Sequence, residues 1–159
     1  SPVRAAIQPE KDRKVAAGFR LADASGKSIS LSTFHGKVIL LDFWATECGG
    51  CKAEIPWFIE FERVYKSKGL DVIGVSMDVV YEGLKDAKEG WSKVKPFVQT
   101  HGVNYPIVMG NNQVLKSYNI DAFPTTYLID KAGRIAATYV GVVDKANVEG
   151  NIKMLIEER

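Results

Sequence analysis

The stretch LDFWATECGGCK, residues 41–52, joins an apolar run to a pair of cysteines. The apolar run begins at Val38 and reaches Trp44, and its nearly continuous hydrophobicity is typical of a central strand covered on both faces. After the cysteines, residues 52–68 place apolar side chains at helical spacing, with Pro56 among them. The stretch therefore predicts a buried strand, a turn that carries the cysteines, and a kinked helix that begins at them.

The two cysteines, Cys48 and Cys51, are predicted to have different roles. At a helix start, unpaired backbone N–H groups and the positive end of the helix dipole stabilise a thiolate, and such sites lower a cysteine pKa from about 8.5 to roughly 3.5–7.5. Cys48 is therefore the predicted attacking thiol. Cys51, one turn further in, is within reach of Cys48 and is predicted to resolve a mixed disulfide, which leaves a Cys48–Cys51 disulfide.

Two other interpretations of the cysteine pair stay open at this point. A zinc site needs four ligands, but only His35 and His101 remain, and neither has the spacing of a zinc ligand. A buried pair of inert thiols is disfavoured because Gly49 and Gly50 favour exposed backbone donors over packing. The preferred interpretation is a redox-active disulfide that works without a metal or other cofactor.

Two carboxyl groups, those of Asp42 and Glu54, are candidates for moving the proton of Cys51. Burial favours the neutral form of a carboxyl group, so its pKa rises toward neutrality within an apolar strand. Asp42 lies between Leu41 and Phe43 and is expected to be more desolvated than Glu54, for which a solvated helix position is a close alternative. We expect Asp42 to accept the Cys51 proton, directly or through water.

The rest of the chain alternates short apolar strands with amphipathic helices. Further strands are predicted at 19–22, 29–31, 72–77, 107–109, 126–129 and 135–140, and helices at 91–101, at 113–118 and from 145 onward. Residues 79–90 are assigned to a loop or a short helix, and Pro96 is expected in the first turn of its helix. The strand, helix, strand order of residues 38–77 implies a parallel crossover. The predicted fold class is α/β, with a central mixed sheet flanked by helices, an N-terminal hairpin and an inserted helical segment.

Length and charge limit the classes of function. A chain of 159 residues with 46% hydrophobic residues is long enough for one domain with its own core. Its 21 basic and 19 acidic residues give a net charge of +2, so no strong field would attract nucleic acid. The longest apolar run is far too short to cross a membrane. A monomer that does not bind nucleic acid is expected.

The N-terminal residues 1–14 are predicted to be a tether or a loosely packed lead-in, and residues 15–159 the domain. The lead-in contains two prolines and shows little periodicity. Because the chain begins at Ser1 without an apolar signal core, any export segment or lipid anchor is expected to have been removed.

The stretch at 41–52 resembles the active-site stretch of the thioredoxin superfamily. Four further stretches are similar to exported TlpA-like proteins, a group that includes cytochrome c maturation thioredoxins: residues 15–21, 28–38, 54–56 and 122–130. The similarity extends from about residue 14 onward. It implies a thioredoxin-like fold and thiol-disulfide exchange with protein substrates.

The resemblance also implies roles for individual residues. Pro124 would be cis and lie beside the cysteines, leaving the backbone of Phe123 free to pair with a substrate strand. A proline at the first residue of a strand needs no ladder donor, which fits the sequence independently. Asp42 and Glu54 match acids of thioredoxin and of TlpA-like proteins, respectively. The expected substrate-binding residues are Trp44, as wall and packing, with Glu47, Gly49, Gly50, Phe123 and Pro124.

Three positions depart from the family pattern. Glu47 stands where the family usually has Trp, Gly50 where thioredoxin has Pro, and Ala17 where Pro is common in the N-terminal motif. The fold assignment does not depend on these residues, whereas substrate docking and redox potential do.

The function expected by resemblance is that of a reductant in an extracytoplasmic compartment, with a membrane thiol transporter as its electron donor. One alternative is a module that uses the thiols to bind a metal or haem. A second is a peroxiredoxin-like peroxidase, which requires Thr three residues and Pro seven residues before its cysteine. Ala45 and Leu41 occupy those positions before Cys48, so the activating hydroxyl is missing.

Overall fold

A computed structural model describes residues 1–159 and contains a six-stranded sheet, a separate two-stranded hairpin and five α-helices. The strands are β1 (Lys14–Val15), β2 (Arg20–Ala22), β3 (Ser28–Ser30), β4 (Val38–Trp44), β5 (Leu70–Ser76), β6 (Ile107–Met109), β7 (Thr125–Ile129) and β8 (Arg134–Val140). The helices are α1 (Gly49–Tyr65), α2 (Asp78–Tyr81), α3 (Ala87–His101), α4 (Asn112–Ser117) and α5 (Lys145–Glu157). The predicted α/β class with a mixed sheet flanked by helices is confirmed.

Strand β4 lies in the interior of the sheet, whose order is β1-β8-β7-β4-β5-β6. It pairs in parallel with β5 and antiparallel with β7, so that Asp42 lies between Gly74 and Thr126. The β4–α1–β5 unit is the predicted parallel crossover. Because paired residues of neighbouring strands point to the same face, Asp42, Gly74 and Thr126 form one row across the sheet.

Two hydrophobic layers cover the sheet, one on each face, and they bury all seven residues of β4. The first layer includes Leu40, Trp44 and Cys51, and the second includes Phe43. Side chains alternate along a strand, so Asp42 points into the first layer with Leu40 and Trp44. This fold therefore places the carboxyl group of Asp42 in the layer that also contains Cys51.

The β2–β3 hairpin lies at the β6 edge of the sheet. Asp23, next to β2, forms an isolated antiparallel bridge with Val108 in β6. The hairpin thus covers part of an edge strand, whose free N–H and C=O groups would otherwise be exposed.

The lead-in before β1 is docked on the domain and differs from the loosely packed tether that was expected. Val3 forms a parallel bridge with Val143. The buried guanidinium of Arg13 lies 2.9 Å from Asp130 and 2.7 Å from Glu158. These partners are more than a hundred residues away, so the composition of the lead-in alone does not reveal them.

Helix α3 begins at Ala87, earlier than the sequence indicated. Asp86 caps it by accepting the backbone N–H of Glu89 at 3.0 Å. Pro96 consequently lies in the helix interior, not in the first turn. Residues 79–90, predicted to be a loop or a short helix, contain most of the short α2, a connection and the first turn of α3. The exposed residues of that turn lack the apolar periodicity that marks a helix. No helix combines the length and hydrophobicity that would let it span a bilayer.

Candidate active site

The turn between β4 and α1 is held in place by Asp78, the first residue of α2. Thr46, in that turn, donates its backbone N–H to the buried carboxylate of Asp78 at 3.2 Å, and its hydroxyl also donates there. Asp78 accepts a further hydrogen bond from the Ser76 hydroxyl at 2.7 Å. Asp78 therefore orients the turn that carries Cys48. The sequence analysis missed this residue, although an acid directly after a buried strand was a usable signal.

Cys48 and Cys51 form a disulfide at the start of α1, with their Cα atoms 5.3 Å apart. Cys48 is the N-cap residue of the helix, and its Sγ accepts the backbone N–H of Cys51 at 3.3 Å. Cys48 is 4% exposed and Cys51 is 0% exposed. The helix-start position predicted for Cys48 is confirmed, and Cys48 is the outer of the two sulfurs.

Asp42 and Glu54 are both fully buried in the first hydrophobic layer. Glu54 follows Cys51 by one helical turn, which places the two side chains on the same face of α1. One oxygen of Glu54 accepts the backbone N–H of Val143 at 2.8 Å. The other oxygen of Glu54 and both oxygens of Asp42 have no hydrogen-bond partner. Glu54 is therefore not the solvated helix residue of the alternative interpretation.

Burial raises the pKa of both carboxyl groups because it removes solvation from the charged form. For Asp42 it raises the pKa well above the usual range, and the negative charge of Glu54 raises it further. For Glu54 it raises the pKa to about 8, against the opposing effect of the Val143 N–H. The pair can therefore hold a proton near neutral pH. Proton transfer between a cysteine thiol and a carboxyl group takes place in the same pH range.

Pro124 lies against the start of α1, and the Phe123–Pro124 peptide bond is cis. A Cβ atom on Gly50 would lie 3.3 Å from Pro124 Cδ and 2.8 Å from Val142 Cγ2, so only glycine fits there without a shift of its neighbours. Neither the N–H nor the C=O of Phe123 is hydrogen-bonded to another backbone group of the chain. This peptide edge remains available for an extended segment of another protein.

The other predicted site residues divide into an exposed group and a buried one. Glu47 and Gly49 are exposed on either side of Cys48. Trp44 is fully buried, and its ring packs on Phe97 with the centroids 5.1 Å apart. It therefore packs within the first hydrophobic layer, which also contains the cysteines, and does not form a wall that a substrate could touch.

An aromatic pair that the sequence analysis did not single out adjoins the cis proline. Tyr81, at the end of α2, is 46% exposed. Its ring packs edge to face against Phe123, with the centroids 5.4 Å apart. The segment at 79–90, predicted to be a loop or a short helix, thus contributes to the surface beside Phe123.

No group of three or more His, Cys, Asp or Glu side chains is arranged to hold a metal ion.

The sequence model of the AhpC/TSA family matches residues 13–138. Thiol-disulfide oxidoreductase ResA of Bacillus anthracis is 33% identical over 143 residues, which are 89% of this chain and 77% of that protein. ResA of Bacillus subtilis (strain 168) is 30% identical over 141 residues, 88% and 73% of the two chains. The chain is a thiol-disulfide oxidoreductase of the AhpC/TSA family.

The solved structures support the same assignment of this thiol-disulfide oxidoreductase. A thiol:disulfide interchange protein of the thioredoxin family from Chlorobium tepidum TLS superposes with a TM-score of 0.78. It is 25% identical, and the match covers 93% of this chain and 99% of that one. The TlpA-like resemblance of the sequence and the predicted thiol-disulfide exchange are both confirmed.

Proposed function

We propose that this thiol-disulfide oxidoreductase reduces disulfides of protein substrates in an extracytoplasmic compartment. The observation that carries the proposal is the arrangement of an outer Cys48, an inner Cys51 and two buried acids in one layer. This arrangement separates attack on the substrate from proton removal inside the protein.

In the reduced enzyme, the Cys48 thiolate attacks one sulfur of a substrate disulfide. A mixed disulfide forms, and the first substrate sulfur leaves as a thiolate. Cys51 then transfers its proton to the carboxylate of Asp42 and attacks the Cys48 sulfur. The Cys48–Cys51 disulfide forms, and the second substrate sulfur leaves as a thiolate that takes a proton from water.

Substrate docking is assigned to the surface around Cys48. The unpaired peptide edge of Phe123 supports backbone pairing with an extended segment of the substrate. Pro124 packs against Gly50, two residues after Cys48, which supports docking of that segment beside the outer sulfur. Glu47 and Gly49, both exposed, complete the rim.

The reducing direction follows from the charges near the cysteines. Glu47 is negative and adjacent to Cys48, and the buried acids disfavour a charge near Cys51. Both effects make the thiolate forms of the cysteines less stable. A less stable thiolate makes the dithiol a stronger reductant. The resemblance to TlpA-like proteins supports the extracytoplasmic location and a membrane thiol transporter as the source of electrons.

The test combines a redox potential with a trapping experiment. We expect a Cys48–Cys51 potential below about −220 mV and turnover of insulin disulfides. Cys51→Ser should accumulate a mixed disulfide with insulin, whereas Cys48→Ser should accumulate little. A potential above about −180 mV, the value for protein disulfide isomerase, would contradict a reductant. Faster alkylation of Cys51 than of Cys48 would reverse the assignment of roles.

A further inference from the structure

The buried side-chain polar atoms without hydrogen-bond partners all lie in or beside the first hydrophobic layer. They are both oxygens of Asp42, Oε1 of Glu54, Nε1 of Trp44, the hydroxyl of Tyr105 and Oγ1 of Thr126. Three of these groups are donors, and the carboxyl oxygens are acceptors. Buried polar groups are nearly always paired, so a cluster of unpaired ones calls for an explanation in the working cycle.

Tyr105 approaches Asp42 over the gap left by Gly74. Gly74 is the partner of Asp42 in β5 and contributes no side chain to the row beside the carboxyl group. A Cβ atom on Gly74 would lie 2.5 Å from Ile107 Cδ1, 3.0 Å from Trp44 Nε1 and 3.4 Å from the Tyr105 ring atom Cε1. The Ile107 side chain, the indole N–H and the phenol ring therefore share the space next to Asp42 that a side chain at position 74 would fill, and the last two are the polar groups there.

We propose that Tyr105 is a positioning residue whose hydroxyl donates a hydrogen bond to the Asp42 carboxylate, directly or through one water, when Asp42 is ionised. The proposal rests on the proposed role of Asp42 as the proton acceptor for Cys51. In the disulfide form the Tyr105 hydroxyl has no other partner, so it is free to turn to the carboxylate.

The groups that face Asp42 leave few donors for its charge. From α1 the charge of Glu54 acts on it and disfavours a second anion, and Cys51 lies in the same hydrophobic layer. No lysine, arginine or histidine contributes to the pKa of Asp42. From β7 it faces the hydroxyl of Thr126, and along β4 the N–H of Trp44.

The Tyr105 phenol keeps its proton over the pH range in which the acids titrate. Burial raises its pKa well above the usual value, and the charges of Asp42, Glu54 and Glu62 raise it further. It therefore stays a donor while the carboxyl groups change charge. A donor to the charged form lowers the pKa of Asp42 from the value that burial alone would give, and so brings it nearer to the working pH.

The experiment measures the ionisation of Asp42 directly. The carboxyl carbon of Asp42 is followed by ¹³C NMR against pH in the reduced protein. Tyr105→Phe should raise the pH at which Asp42 is half ionised, its midpoint, by about one pH unit. Below that midpoint, resolution of a preformed mixed disulfide should slow by up to about tenfold, because the fraction of ionised Asp42 falls by that factor. The alkylation rate of Cys48 should not change.

Tyr118→Phe is the matched control. The Tyr118 hydroxyl donates to the backbone C=O of Ala17, and the residue lies in the second hydrophobic layer, on the other face of the sheet. Loss of the Tyr118 hydroxyl should leave the Asp42 midpoint unchanged. Equal shifts in the two variants, or an unchanged midpoint in Tyr105→Phe, would overturn the proposal.

A second replacement keeps the test decisive if Tyr105→Phe does not fold. Replacing Tyr105 by 3-fluorotyrosine retains the ring and makes the hydroxyl a stronger donor, so the Asp42 midpoint should move downward. An upward shift or none would contradict the hydrogen bond. These midpoints are read without any protein substrate, so failure of insulin reduction and failure of this inference are distinguishable.

Discussion

Glu54 and Asp42 share one buried layer, and the negative charge of Glu54 raises the pKa of Asp42. Two buried carboxyl groups that interact in this way resist carrying two negative charges, so their protons come off in two steps that belong to the pair. A pair that retains one proton can accept another from Cys51 without leaving the protein interior more highly charged. The pair also links the stability of the protein to pH.

The first prediction concerns that link. The pKa of Glu54 is about 8 in the folded protein and 4.5 when unperturbed. Between these values the folded state holds a proton on Glu54 that the unfolded state has released, so this group alone lowers the free energy of unfolding by about 1.4 kcal/mol per pH unit. The stability contributed by the protonated group is complete below pH 4.5 and is lost as the pH rises through about 8.

Urea unfolding between pH 5 and about pH 9 measures this slope. Glu54→Gln should make the slope less steep by up to about 1.4 kcal/mol per pH unit, because the amide does not titrate, and the part due to Asp42 should remain. Glu10→Gln, at an exposed position, should leave it unchanged. A parent protein whose stability is constant or rises over this range would show that the buried acids are ionised in the folded state.

The second prediction ranks the two acids in catalysis. Asp42→Asn should slow resolution of a preformed mixed disulfide more than Glu54→Gln does, because one oxygen of Glu54 is already engaged by the Val143 N–H. Alkylation of Cys48 should stay within a few-fold of the parent rate in both variants. Stopped-flow release of the substrate thiol reports resolution. Slowing by Glu54→Gln alone would reverse the ranking.

The sequence was sufficient for the parts of the site that are local in the chain. The apolar run of β4 and the spacing of Cys48 and Cys51 together predict the strand, the turn and the helix start. The resemblance predicted the cis bond at Pro124. Each of these features is encoded within about ten residues, where composition and periodicity are informative.

The features that the sequence did not reveal depend on contacts between distant segments. Asp78 accepts hydrogen bonds from Thr46, and Tyr105 lies beside a space that exists because Gly74 is the partner of Asp42 in the sheet. No local pattern specifies which strand lies beside β4. The length of α3 was missed for another reason, since its exposed first turn carries no hydrophobic signal.

The third prediction concerns the charge next to the nucleophile. Glu47 is exposed and adjacent in sequence to Cys48, and a like charge disfavours the thiolate. Glu47→Gln should therefore speed alkylation of Cys48 by the neutral reagent iodoacetamide near neutral pH. The gain should shrink in high salt, because the charge of an exposed group is screened. A rate that is unchanged at low salt would show that the carboxylate points away from the sulfur.

The fourth prediction tests the docking of the lead-in. The Arg13 side chain is 2% exposed and pairs with Asp130 and Glu158. Removing the cation from a buried ion pair leaves uncompensated charge, so Arg13→Met should lower the free energy of unfolding by about 3–5 kcal/mol. Arg20→Met, at an exposed position without an ion pair, should change it little. Equal urea midpoints for the two variants would mean that the ion pairs of Arg13 contribute no stability.

The last prediction compares the two glycines between the cysteines. A side chain on Gly50 would meet the Pro124 ring and Val142, whereas nothing lies within 4 Å of the position that a Cβ atom on Gly49 would take. Val142 can turn away, but the rigid proline ring can move only with its backbone. Gly50→Ala should therefore shift the peptide edge of Phe123 and lower kcat/KM for insulin several-fold, although alanine favours the helix at both positions. Gly49→Ala should retain the parent rate. Reduction of a small aromatic disulfide, which does not need the peptide edge, should be affected much less by Gly50→Ala. If both substrates are slowed equally, the side chain perturbs the disulfide itself, and the docking role of the cis-proline edge is contradicted.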